Sequence, residues 1–281
     1  MLKPNETAIF CDLDGTLFDH TGAVSEENRA AIRRYTQAGG LFAIATGRCP
    51  DNMLEYLDGV EFNAPCIVLN GAGVYDHQQK RYLYTQFADR EALAMVLRYC
   101  RANHPQVDLQ IYTEESILYA SPEETVNRPF WELHRTSRFV SIEEAEHAPW
   151  FKSLLFGDRA PLEDAEAFIL ANNLQDRFSR VYATTDIVPG SRYLELLPKG
   201  VNKGTALHVC RTLPCYRGRT LIGVGDYNND LELLAEADIA ACPRNANDAI
   251  HAIADVELPS NDEHAIAALI DRLPVLGKER V

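Results

Sequence analysis

Two aspartates one residue apart, Asp12 and Asp14, follow directly on the apolar run Ala8–Cys11 and lead into Gly15-Thr16. Like charges at the tip of a buried strand cost stability, so the pair calls for a chemical reason. Asp-Gly is an ordinary turn dipeptide, which accounts for Asp14 but leaves Asp12 unexplained. A second polar group, Thr46-Gly47-Arg48, closes the apolar run Leu41–Ala45. Hydroxyl, backbone amide and guanidinium together suit the oxygens of a phosphate. Third comes Lys203, in the first turn of a helix, where the helix dipole disfavours a cation. The fourth group, Gly225-Asp226-Tyr227-Asn228-Asn229-Asp230, follows the run Thr220–Val224. Gly223 and Gly225 lack the third glycine of a dinucleotide loop, and Asp226 stands where a pyrophosphate would pass. Carboxylates gathered at several strand ends would repel phosphate unless a cation lay between them. Hard oxygen ligands of this kind suit Mg²⁺.

Positioning these groups requires short buried strands alternating with helices. Thr7–Cys11, Leu41–Ala45 and Cys66–Leu69 read as strands near the N-terminus, with a helix capped by Ser25 and another over Asp51–Leu57. Further on, Thr220–Val224 and Ile239–Cys242 read as strands, separated by helices over Asn202–Arg211 and Asp230–Glu236 and followed by helices near 247–253 and 262–272. Continuous apolar strands between helices imply a doubly wound parallel sheet, an α/β Rossmann-like core. The middle reads differently. Its strands alternate and come in pairs (107–112 with 116–120, 178–183 with 191–197), among helices at 91–103, 122–134, 142–147 and 161–173. That pattern implies an α+β module with an antiparallel sheet exposed on one face, inserted into the core. The expected division is 1–84 and 191–281 for the core, 85–190 for the insert.

Composition narrows the partners. The chain has 281 residues, 46% hydrophobic and 24% charged, the profile of a soluble globular protein with a sizeable core. A net charge of −14 argues against nucleic acid or an anionic membrane as a partner. It does not oppose a small anionic substrate, which feels local fields. Seven scattered cysteines form no zinc-type spacing. Residues 1–10 hold no apolar stretch of signal-peptide length, and no apolar run reaches the roughly 18 residues of a membrane span, so a cytoplasmic location is expected. Oligomeric state is not legible.

Taken in order, Asp12-x-Asp14-Gly15-Thr16, Thr46-Gly47-Arg48, Lys203 and Gly225-Asp226-x-x-Asn229-Asp230 resemble the four motifs of the haloacid dehalogenase-like hydrolase superfamily. The insert between the second and third resembles the type B cap of the Cof-like, class IIB sugar phosphatases, as do "LNGAGVYD" (69–76) and "LELLPKGVNKGTAL" (194–207). The resemblance implies a Mg²⁺-dependent phosphomonoesterase acting on a small phosphorylated metabolite such as a sugar phosphate. It implies Asp12 as nucleophile, Asp14 as acid and base, and Lys203 as the neutralising cation. Metal ligation falls to Asp12, Asp14 and Asp226; phosphate or substrate binding to Thr46, Gly47, Arg48 and Asn229; support to Asp230. Arg244 and Ala265 stand where the Cof-like pattern has glycine, and Arg244 could narrow the site or meet a second anionic group. A phosphomutase of the same superfamily, or a phospho-ligand-binding protein on the same fold, are the alternatives.

Overall fold

The computed structural model describes residues 2–57, 59–126, 137–184 and 190–276. The chain divides into two compact units, Met1–Tyr84 with Asn202–Val281, and Thr85–Val201.

In the first unit five parallel strands are ordered β14-β13-β12-β1-β2. They are β1 (Thr7–Cys11), β2 (Leu41–Ile44), β12 (Thr220–Val224), β13 (Ile239–Pro243) and β14 (Val256–Leu258). Every residue of β1 is buried, as a central strand covered on both faces requires. Helix α1 (Glu26–Gln37) starts at Ser25, whose side chain accepts from the Asn28 amide, and it buries Asn28, Ala31, Ile32 and Tyr35. These positions fall on one face of a 3.6-residue helix. The chain winds from β1 outward to β2 on one side and through β12 to β14 on the other. The order therefore reverses between β1 and β12, and ligands of doubly wound sheets bind beyond the carboxyl ends of the strands at such a point. Asp12 and Asp226 flank it.

Residues 66–69 were expected to form a third parallel strand. The strand β3 (Cys66–Val68) does run parallel to the chain at the end of β2 through the Ala45–Ile67 bridge, and Ile44 N donates to Cys66 Sγ, but it is not a member of the five-stranded ladder; it pairs antiparallel with β4 (Gly73–Asp76), which adjoins β5 (Arg81–Thr85) in a three-stranded sheet. The hairpin 73–85 escapes sequence reading because its turn, His77 to Lys80, contains no glycine; Lys80 itself takes the left-handed region, φ 51°.

The second unit carries a six-stranded sheet ordered β10-β11-β9-β6-β7-β8, namely β10 (Phe178–Thr184), β11 (Ser191–Pro198), β9 (Lys152–Asp158), β6 (Asp108–Tyr112), β7 (Ile117–Tyr119) and β8 (Arg138–Phe139). It is antiparallel except for the β7–β8 pair. Strand β11, assigned to the core by the expected boundary at 190, pairs with β9 and β10 inside this unit. Leu93 and Leu97 of α2 (Arg90–Asn103) pack with Leu109, Ile111, Leu155 and Leu194 on one sheet face. The other face was expected to be exposed, yet Asp108, Gln110 and Lys152 on it are buried. Each has a polar partner. Gln110 Nε2 and Ser121 Oγ each donate to Asp108, and Lys152 Nζ donates to Glu195 at 2.7 Å. Burial still pushes the Asp108 carboxyl up to about 6, against those two hydrogen bonds. The expected helix 122–134, with Phe130, Trp131 and His134, falls mostly outside the described residues; within them, Glu123–Thr125 form a short 3₁₀ turn that ends in extended backbone at Val126.

Candidate active site

Four loops meet at the carboxyl edge of the parallel sheet. The Asp12 amide donates to the Val224 carbonyl, so the end of β1 is tied to the end of β12. The Thr46 amide reaches Ile67 O and the Ala45 amide reaches Cys11 O, which fixes the loop after β2 beside them. Lys203 opens the helix Lys203–Thr212, whose N-cap Asn202 exchanges hydrogen bonds with Thr205 in a capping box.

Lys203 lies at the centre. Its side chain is fully buried, and Nζ donates to Asp12 Oδ1 at 2.7 Å and to Asp230 Oδ1 at 2.6 Å. Burial would lower the ammonium pKa, but the adjacent Asp12 and Asp230 carboxylates outweigh it and raise it. The cation at a helix N-terminus is thus explained by two anions within contact. Asp230 is held at both oxygens: Oδ2 accepts from the amides of Asp226 and Tyr227 at 3.2 and 3.3 Å. It braces Lys203 and the loop.

Asp226 accepts from Thr16 Oγ1 at 2.7 Å. Gly15, φ 82°, leaves room for it: a Cβ there would sit 2.5 Å from Asp226 Oδ2. Burial pushes the Asp226 carboxyl up to about 7, and pushes Asp12 well up despite Lys203. Carboxyl oxygens of Asp12, Asp226 and Asp230 lie within 4.8 Å of one another. With all four carboxylates ionised, Asp14 included, they face two cations, Lys203 and Arg48, which leaves two negative charges in the cluster. A divalent cation on Asp12 and Asp226 matches that deficit and the oxygen donor set.

Arg48 is engaged by Asp14. Nη2 meets Asp14 Oδ1 at 2.6 Å and Nε meets Oδ2 at 3.0 Å, a bidentate pair. The guanidinium also donates to Asn52 Oδ1 and lies 4.7 Å from the Tyr56 ring centroid, with Phe18 at 5.4 Å. Most of its donors are therefore directed within the protein. Thr46 is buried, with Oγ1 accepting from the Arg48 amide. Asn229 Nδ2 donates to Asn70 Oδ1 at 3.2 Å.

The cluster thus unites all nine residues singled out by sequence, through contacts within the first unit. Motif reading included Thr16 but gave it no role, whereas it orients Asp226, and it missed Asn245, whose Nδ2 donates to the Gly15 carbonyl at 2.8 Å. It also missed Asn70. Arg244 stands apart on exposed ion pairs, 3.2 Å from Glu263 and 4.0 Å from Glu257.

The family model of the haloacid dehalogenase-like hydrolases matches residues 9–270, and the chain belongs to this family. It is similar to the 5-amino-6-(5-phospho-D-ribitylamino)uracil phosphatase YwtE of Bacillus subtilis, 26% identical over 94% of this chain and 97% of the relative. The pyridoxal phosphate phosphatase YbhA of Escherichia coli is 22% identical over 93% and 96%. Among solved structures, a haloacid dehalogenase-like hydrolase from Bacteroides thetaiotaomicron superposes with a TM-score of 0.81 at 24% identity, covering 95% of this chain and 99% of that one. A subclass IIB sugar phosphatase gives 0.76 at 21%, over 95% and 99%. The chain is a hydrolase of phosphatase type, and its described residues contain no helix long and apolar enough to cross a membrane.

Proposed function

We propose that the protein is a Mg²⁺-dependent phosphomonoesterase for a small phosphorylated metabolite, most simply a sugar phosphate, working through an aspartyl-phosphate on Asp12. The carrying observation is the Lys203 bridge, which occupies one Asp12 oxygen and leaves the other to attack. Asp12 and Asp226, with the Asp14 carbonyl, would hold Mg²⁺. When bound, the ion supplies positive charge that lets an anionic nucleophile approach an anionic ester.

The residues then divide the work. The second oxygen of Asp12 attacks phosphorus, a new O–P bond forms, and the ester P–O bond breaks. Asp14 gives its proton to the departing alkoxide and later takes one from the water that cleaves the acyl phosphate. Lys203 neutralises Asp12 and the transferring group, while the Thr46 hydroxyl and Gly47 amide bind phosphoryl oxygens. Asp230 and Asn229 keep this arrangement in register. Arg48 enters the reaction through Asp14, which must leave the guanidinium to serve as acid.

The relatives' named substrates, a phosphoribityl-uracil, pyridoxal phosphate and sugar phosphates, share a phosphoryl monoester on a small polar body. Release of inorganic phosphate from a panel of such esters, with Mg²⁺ and with EDTA, tests the reading. Metal-dependent release supports it; none from folded, Mg²⁺-supplied protein contradicts it.

A further inference from the structure

Leu69, Asn70 and Gly71 carry three consecutive positive φ angles, 55°, 52° and 99°. Leucine seldom enters this region, and such strain persists only where surrounding contacts over-determine it. Here they do. The Leu69 amide donates to Arg48 O and the Asn70 amide to Thr46 O, both at 3.0 Å. Asn70 is 3% exposed, and its side chain lies against Gly47, where a Cβ would come within 3.0 Å of Nδ2. Its Oδ1 accepts from Asn229 Nδ2 at 3.2 Å. Gly71 is just as confined: a Cβ would sit 2.1 Å from the carbonyl of Asn202, the residue that caps the Lys203 helix. One strained turn therefore touches the loop after β2, the start of the Lys203 helix and the Asn229 loop.

We infer that Asn70 is a positioning residue for phosphate binding, holding the Thr46-Gly47 backbone and Asn229 at a fixed spacing. This rests on the proposed role of Thr46 and Gly47 as phosphate ligands. Glycine at 70 keeps the left-handed backbone and removes only the side chain. Affinity for inorganic phosphate in magnesium buffer is measured by titration calorimetry for wild type, Asn70→Gly, Asn229→Ala and the double variant. Losing a buried hydrogen bond that shapes the site should weaken phosphate binding by about tenfold in each single variant. The double variant should be no weaker than either single one, because both act through one contact. Asn229→Ala leaves the turn untouched, so the comparison survives even if Asn70→Gly folds poorly. An affinity within about twofold of wild type, or effects that multiply in the double variant, overturns the inference. Ester hydrolysis is followed on the same wild-type preparation. Phosphate bound without turnover contradicts the hydrolase reading alone and leaves Asn70 to be decided by the affinities; absence of phosphate binding by wild type overturns both.

Discussion

Arg48 grips Asp14 through both carboxylate oxygens, at 2.6 and 3.0 Å. The guanidinium is the more buried partner, 24% exposed and set between Asn52, Phe18 and Tyr56, whereas Asp14 is 62% exposed. A carboxylate held at both oxygens cannot hand a proton to a leaving group. If Arg48 acts through Asp14, the two substitutions must be coupled. By releasing Asp14 from that grip, Arg48→Ala should raise kcat by up to about tenfold in wild type, yet change it by less than about threefold once Asp14→Asn is present. Equal factors in both backgrounds would instead make Arg48 an independent substrate ligand.

Lys203 is buried between Asp12 and Asp230. Lys203→Met leaves two buried carboxylates without their cation, so unfolding in denaturant should show a loss of about 3–5 kcal/mol. The exposed pair Arg34–Asp271 is the comparison, and Arg34→Ala should cost less than about 1 kcal/mol. Similar costs for the two would contradict the picture of a dry, paired centre.

Asp226 is raised by burial from 3.8 to about 7, and Asp12 moves the same way. Folding therefore favours their protonated forms. That contribution is complete below the ordinary carboxylate value and is lost as pH rises through the folded one. Metal-free protein should lose thermal stability between about pH 4 and 7 at this site, and Mg²⁺ should restore it increasingly towards the upper end. Melting curves with Mg²⁺ and with EDTA across that range provide the check. A Mg²⁺-induced shift that shrinks as pH rises would contradict the assignment.

Arg244 is exposed and paired with Glu263 and Glu257. Arg244→Ala should leave kcat/KM within about twofold on every ester tested. A selective rise in KM for a substrate with a second anionic group would restore the sequence-based expectation of a specificity contact.

Much of this centre was legible because its residues break local rules. Asp12 caps a buried strand with a charge, and Lys203 opposes a helix dipole; each conflict is resolved by the other's charge. What stayed hidden is set by tertiary contact. Asn70-Gly71 favours the left-handed region locally, but nothing local sends Leu69 there; its amide bond to the loop after β2 does so. Likewise Asp108, Gln110 and Lys152 alternate with apolar neighbours as solvent-facing residues do, and only their mutual hydrogen bonds and ion pair make their burial tolerable.

Asp12 is the proposed nucleophile, and every other role depends on it. Acid-quenching the protein during turnover of a phosphate ester, then analysing peptides by mass spectrometry, tests this most directly. One phosphoryl group should be found on the peptide containing Asp12, lost in neutral hydroxylamine and absent from Asp12→Asn. Steady turnover in Asp12→Asn, or a phosphoryl group trapped on another residue, would contradict it.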